Sequence, residues 1–509
     1  MAGGGHTVTD LGFRFGPMTA DFTRDTFNPA KHFVRVVMQQ GRVQLDSDWN
    51  EQAAILLHYV QSLAADLIGP HGGPGDGFAI YAATDTTQVP FNFVVAAGHY
   101  YADGVLCENE AEIRYDAQPG FPFGSAETIS KTSVQGLVYL DVWERHVTAL
   151  EDDSIREVAL DGPDTTTRSQ VVWQARVLGL DSESTIAQQV DALIQARTNL
   201  VNAEQKNSIL DIRAQRAAIA VAESEILNLL QDQFGRNVYL LPYLRARTRQ
   251  PSTGTAQPCT IPPDAKYRGP ENQLYRLQIH TGGQVGTATF KWSRENASVI
   301  FPVLRAEGKV LALQHLGRDR RGRLQPGDWV EVEDDDYILQ GAAAPLRQVQ
   351  AVDDDNMTVT LDQAPAFTVS LDKHPLARRW DHGKVDPMTP GAELAADGAV
   401  RVTEGAEDTG WMDLEDGVQV QFHPLVTNAV SMYKTGDYWL IPARTATGDV
   451  EWPQGAADAG STPGPAPQPP RGIHHHYAPL ARLKLDSGQH IAGADSLRRT
   501  IPSLDAIFS

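Results

Sequence analysis

Apolar residues recur at Trp49, Ala53, Leu56, Leu57, Val60, Leu63, Ala64, Leu67 and Ile68, the spacing of one helical face. The pattern predicts an amphipathic helix of roughly 30 Å at 1.5 Å per residue. Asp48 is placed to cap its start, and Glu51 sits three residues on as the capping-box partner. Gly69 and Pro70 stop it, because Gly takes the left-handed cap and Pro cannot continue the helix. Before it, 33–38 and 42–45 read as two strands about a Gln-Gln-Gly turn. An amphipathic helix is most often core, packed on its own sheet. The other reading is a docking element, with Trp49, Ala53, Leu56, Val60, Leu63 and Leu67 facing a partner.

After the helix the period changes. Residues 69–77, GPHGGPGDG, read as a loop, and not a phosphate loop: no Gly-Lys-Ser/Thr end follows, and no helix. From Phe78 to about Leu180 apolar and polar residues alternate. Asp103-Gly104 marks a hairpin, and GLVYLDVWERHVTAL and SQVVWQARVLGL read as long strands. Residues 182–233 hold no Gly or Pro, and their apolar positions recur at helical spacing with a phase slip at Asn207-Ser208. They predict either an antiparallel helical hairpin or one helix of roughly 75 Å. Such an insertion serves oligomer contacts or reach if it projects, and is structural if it folds flat on its own domain.

From Asn237 the β pattern returns. QLYRLQIH, TATFKWS, SVIFPVL, KVLALQHL, DWVEVEDDDYIL, LRQVQAV and MTVTL suggest a small antiparallel barrel or sandwich. A further β region runs from about Val400 to Pro442, and 453–471 is Pro/Gly-rich, read as a mobile loop or extended linker. The fold class expected is therefore mainly β and multidomain, with β-sandwich or barrel modules, an N-terminal strand-helix unit and an inserted helical hairpin or long helix. The expected layout is 1–77 (arm, strands, helix), 78–181 (β), 182–235 (helical insertion), 236–370 (barrel or sandwich), 371–452 (β) and 453–509 (loop and C-terminal segment). Residues 1–20 are Gly-rich and read as an arm ordered only against a neighbour.

Composition narrows the function classes. The 509 residues are 41% hydrophobic, ample for cores, with no apolar run of the ~18 residues that span a membrane. The first residues lack the basic and apolar regions of a secretory signal, so synthesis in the cytoplasm is expected. A net charge of −21 disfavours nucleic acid and anionic lipid. The cluster Arg318, Arg320, Arg321 and Arg323 reads as a solvated turn. Cys107 and Cys259 are far apart, which suits two buried thiols in a reducing compartment.

No catalytic signature survives spacing: no G-x-S-x-G, no H-E-x-x-H and no dinucleotide fingerprint. The expectation is no enzyme and no cofactor. Asp46-x-Asp48-x-Asn50 opens like a calcium loop, but Glu51 and Leu57 stand where Gly and Glu belong. In HHH, His474 and His476 share a strand face and are the best metal candidates, two ligands that need symmetry mates to close a site. Asp141, Glu144, Glu331, Glu333, 334–336 and Glu415 supply carboxylates in number, but glycoside hydrolysis needs one pair held at a set separation. Tyr100, Tyr101, Trp292, Trp329, Trp380, Trp411, Tyr438 and Trp439 suit either a sugar-binding groove or a β core.

FNPAKHF, VVMQQGRVQLDSDWNEQ, LIGPHGGPG, YLDVWERHVTALED, REVALDGPDTTTRSQVVWQ, YRGPENQLYRLQIH, FKWSRENASV, GDWVEVEDDD, TGDYWLIPARTATGDVEWP and HHHYAPLA together resemble an uncharacterised bacterial domain family. That family is found in loci for phage-tail-like contractile injection systems, and the resemblance covers about residues 20–485. It implies a structural or accessory part of a tail-like particle, at the baseplate or fibre, and carries no assigned activity. Other particle proteins, and a second copy of the chain, are the partners expected. A carbohydrate-binding or adhesion module for a cell-surface glycan, and a polysaccharide-cleaving enzyme, are the alternatives.

Overall fold

The strand Gln135–Val147 shows how this sequence builds its sheets. Val138, Leu140 and Val142 point into one core, with Phe93, Tyr100 and Leu480, while Leu137 and Tyr139 point into another, with Val190, Ile226 and Leu230. Alternate side chains face opposite sides of a strand, so a strand buried on both faces reads as an unbroken apolar run. The computed structural model describes residues 18–501, apart from 85, 87–88, 122–133, 182, 235–240, 250–265, 318–320, 383–393, 407–408, 425–430 and 456–463. The protein is mainly β, with many sheets and a few helices.

Two compact units emerge, each gathered from three stretches: 1–55, 146–169 and 238–473 in the first; 56–145, 170–237 and 474–509 in the second. They cut across the consecutive layout read from the sequence, because pairing is long-range. His476–Leu485 runs antiparallel to Gln135–Val147, and Gln273–Ile279 to Tyr438–Arg444. Local pattern gives the strands; it is silent on partners several hundred residues away.

In the second unit, a sheet of Ile491–Ser496, His476–Leu485, Gln135–Val147 and Arg168–Leu180 lies between two cores. One is shared with the strands Gly98–Ala102 and Val105–Asn109, joined at Asp103 (φ 50°) and Gly104 (φ 80°), the hairpin expected there. The other is covered by a helical hairpin, α2 (Thr185–Gln205) and α3 (Ile209–Phe234), which turns at Asn207 (φ 50°), where the phase slips. Its base folds flat: Ile186, Val190, Leu193, Ile226 and Leu230 are buried with Leu137 and Tyr139, each contributing about 1.5–3 kcal/mol of burial. Nearer the turn, Val201, Ile209, Leu210 and Val221 are exposed.

Part of the predicted 69–77 loop is a strand, His71–Pro74, paired with Gly98–Ala102 and with Thr500–Ile501. Glycine is the reason: a Cβ on Gly73 would stand 2.6 Å from the His99 carbonyl oxygen, so only a bare backbone comes that close.

In the first unit, a sandwich packs a five-stranded sheet (Val400–Arg401, Thr289–Ser293, Gln273–Ile279, Tyr438–Arg444, Asp449–Val450) against Met412–Asp413, Val418–Pro424 and Pro242–Thr248 over one core. Beside it in sequence lies a closed barrel of Ile300–Glu307, Val310–Leu313, Thr358–Leu361, Leu346–Asp353, Trp329–Glu333 and Leu376–Trp380. QLYRLQIH and TATFKWS, read as barrel strands, belong to the sandwich; Leu376–Trp380 closes the barrel instead. DWVEVEDDDYIL is not all strand. Asp334 accepts from the backbone N–H groups of Asp336 and Tyr337 and caps a short helix, Asp335–Gln340. The Pro-rich stretch is held at 464–471: the indole N–H groups of Trp452 and Trp439 donate to Ala466 O (2.8 Å) and Gln468 O (3.0 Å). Residues 456–463 of that stretch lie outside the described residues.

The N-terminal element differs most from expectation. Residues 33–38 and 42–45 flank a turn at Gly41 (φ 72°), but form no strand among the described residues. A lone two-stranded hairpin is barely stable in water without a further strand to extend it. The helix, α1 (Asp46–Ile68), starts two residues before the predicted cap. Asp48 lies inside the first turn and accepts from the Leu45 N–H (3.1 Å), the return half of a capping box; Glu51 instead accepts from the Thr26 hydroxyl (2.6 Å). Gly69 (φ 90°) ends it as expected.

Substituting Gly104 tests how α1 is seated. A Cβ there would lie 2.2 Å from the Gln61 carbonyl oxygen, on a backbone already at positive φ. Gly104→Ala is expected to cost about 1–3 kcal/mol in backbone strain, with a further penalty for moving α1. Hydrogen exchange over 56–68 should rise while the barrel stays protected; unchanged exchange there would show that α1 is not seated on this turn.

Candidate functional site

α1 is amphipathic the wrong way round for a core helix. Its inner side is Ser47, Ala54, Ile55 and Gln61, all buried. Its apolar stripe points out: Trp49, Leu56 (57% exposed), Val60, Leu63 and Leu67 (77%) stand in solvent, as does Ala53. All six residues named as a partner face are therefore on one open side, and the core-helix reading of this stripe is corrected. Each large side chain held out of a core forgoes about 1.5–3 kcal/mol of transfer free energy.

Specific polar contacts hold the helix in that orientation. The backbone N–H and hydroxyl of Thr23 both donate to Asp46 at 2.7 Å, and burial opposes but does not outweigh this in holding the Asp46 pKa below its ordinary value. The Val36 N–H donates to Gln52 Oε1 (2.8 Å), tying the preceding segment to the first turns.

The stripe has a regular interval. Trp49, Ala53, Leu56, Val60, Leu63 and Leu67 step by four and three alternately, so Trp49, Leu56 and Leu63 recur every seven residues, as do Ala53, Val60 and Leu67. That is the narrow seam of a helix that packs lengthwise on another helix, knobs into holes.

The other candidates come out differently. The rings of His474 and His476 do face one another, centroids 4.7 Å apart, and His476 Nδ1 lies 3.0 Å from Asp103 Oδ2. Among the described residues no three His, Cys, Asp or Glu side chains gather as a metal site. His475, between them, meets Asp141 (2.5 Å), which also pairs with Arg176 (3.3 Å). Cys107 is a buried free thiol, its pKa pushed up to about 12 by burial; Cys259 lies outside the described residues.

The flagged carboxylates sit in ion pairs: Glu331 with Lys291, Glu333 with Arg378, and Glu415 with Arg294. A polar cavity of about 380 Å³ is lined by Arg294, Arg321, Arg323, Arg379 and Asp381, among others. Arg294 lies 3.4 Å from Asp381 and 2.8 Å from Glu415, Arg379 lies 3.0 Å from Glu295, and Arg321 lies 3.2 Å from Glu271. Arg321 and Arg323 are thus ion-paired rather than a free solvated turn; 318–320 are outside the described residues. Burial, helped by Asp381, pushes the Glu415 carboxyl up to about 7 against the pull of Arg294. The arginines here already hold carboxylates, an arrangement that fixes loops. Of the aromatics, Tyr100, Trp292, Trp380, Tyr438 and Trp439 are buried in the cores, and the Trp411 ring is covered by the Arg247 guanidinium at 3.8 Å. Tyr101 and Trp329 are half-buried.

Residues 18–489 match the profile of a family of unknown function, DUF6519. The chain belongs to the DUF6519 family. No curated protein matches it, and no solved structure does. The match spans both units of the DUF6519 chain, including α1, the barrel and the His474–His476 strand start. No described helix of the DUF6519 chain is long and apolar enough to cross a membrane.

Proposed function

We propose that this DUF6519 chain is a non-enzymatic structural component that works through protein–protein contacts, made where the outward seam of α1 packs on a helix of matching seven-residue repeat. The observation that carries this is the burial of α1: Ser47, Ala54, Ile55 and Gln61 face in, while the longer apolar seam faces out. An exposed apolar face of this kind on a lone chain is a contact surface or a liability, and its seven-residue recurrence favours a helical contact. The long blocks of sequence resemblance extend the proposal to a phage-tail-like contractile injection particle, with the chain made in the cytoplasm and built in at the baseplate or a fibre.

The test uses Leu56→Glu/Leu63→Glu in the full chain, expressed in cells that encode the particle. Both side chains are exposed, so the fold is retained. The amount of the chain in purified particles is expected to fall by about tenfold or more, the equivalent of about 1.4 kcal/mol of contact energy. Incorporation at the normal level by a folded variant would overturn the proposal.

A further inference from the structure

The occupant of the α1 seam is open to a more specific reading, which rests on the contact role just proposed. Thirteen of the thirty exposed large apolar side chains among the described residues fall between Phe33 and Leu67. They divide between two parts of one short segment, the stretch 31–45 and α1, and these side chains of both stand in solvent. Val37 (69%) and Val43 (83%) point to solvent just as the seam does.

Charge divides the same way. From Thr26 to Leu45 there is no acidic residue, and Lys31, Arg35 and Arg42 are basic. From Asp46 to Ile68 there is no Lys or Arg, and Asp46, Asp48, Glu51 and Asp66 are acidic. In a chain of net charge −21, so clean a basic stretch beside so clean an acidic one makes the segment complementary to itself. The seam agrees. With Ala53, Val60 and Leu67 at one seam position and Trp49, Leu56 and Leu63 at the other, the flanking positions hold Asn50, Gln52, Leu57, Tyr59, Ala64 and Asp66. Flanking charges are what direct a seam to a different partner, and here only Asp66 is charged. Leu57, Tyr59 and Ala64 widen the apolar band beyond what one partner helix covers.

We infer that the occupant is a second copy of this chain: α1 helices of three or more copies pack in parallel, seam inward, about a common axis, and the basic stretch 31–45 of each lies against the acidic first turns of the next, at Asp46, Asp48 and Glu51. Such a contact is heterologous, and rotation closes it into a ring. Residues 33–38 and 42–45, which pair with no strand among the described residues, gain a neighbour in the same step.

Light scattering on the full chain at micromolar concentration tests this. The wild type is expected at three or more times 55.6 kDa, and Leu56→Glu/Leu63→Glu at one times. Arg35→Glu/Arg42→Glu is expected to weaken assembly by about tenfold and to lose its salt sensitivity, since screening acts on the pairs it removes. Ala53→Cys, in a Cys259→Ser background and treated with oxidised glutathione, is expected to form an interchain disulfide, because equivalent seam positions meet at a parallel axis. A monomeric wild type overturns the inference; if Leu56→Glu/Leu63→Glu still fails to enter particles, the contact role stands with a different occupant. An oligomer unchanged by Leu56→Glu/Leu63→Glu overturns the inference and separates assembly from this face.

Discussion

Lys291→Met is expected to destabilise the first unit by about 3–5 kcal/mol, the cost of leaving one member of a buried ion pair alone. Lys291 and Glu331 are both almost fully buried, and their ammonium and carboxylate are in contact. The ammonium also lies 4.4 Å from the centre of the Trp380 ring. Burial pulls the Lys291 pKa down, and Glu331 opposes it. Without the cation, Glu331 keeps two donors, Trp380 Nε1 at 3.0 Å and the Ala344 N–H at 3.1 Å, and an uncompensated charge. Lys291→Met/Glu331→Leu is expected to regain most of the loss, because an apolar pair of similar volume is often no worse than the ion pair.

Acid should lessen the loss in the single variant. His280 Nδ1 lies 3.9 Å from Glu331, and its pKa is pushed down to about 3, by burial first and then by Lys291. With Lys291 removed, that second cause disappears and the imidazole can take a proton beside Glu331. Urea unfolding followed by intrinsic fluorescence measures all three variants. A Lys291→Met loss under about 1 kcal/mol would mean that water reaches this pair.

What the sequence disclosed follows the range of the interactions. Strands such as Gln135–Val147, the Asp103-Gly104 turn and the break at Asn207 depend on neighbours in sequence, and each was visible there. The pairing of His476–Leu485 with Gln135–Val147 was not, since nothing local encodes it. The strand His71–Pro74 was hidden because its glycines serve close approach, which resembles a loop in composition. The six residues of the α1 face were legible as a set. Their direction was not, because an apolar stripe has the same spacing whether it meets its own sheet or a partner. Burial decides that, and it places Ile55, one residue from Leu56, on the opposite side.

Ile55→Glu should therefore be as damaging as Leu56→Glu/Leu63→Glu is mild. Ile55 is 1% exposed, and a carboxylate there must either lose its water or displace α1. The cost expected is about 4 kcal/mol or more, at the exceptional end for a single substitution. The seam side chains are already in water, so replacing two of them should change stability by about 0.5 kcal/mol or less in the isolated chain.

Urea unfolding of wild type, Ile55→Glu and Leu56→Glu/Leu63→Glu, at chain concentrations dilute enough to exclude association, compares these sides of one helix directly. Seam-variant stability matching wild type, with a large loss in Ile55→Glu, is the predicted result. Equal, large losses in both variants would mean that the apolar face of α1 is buried in its own fold, and would contradict the account.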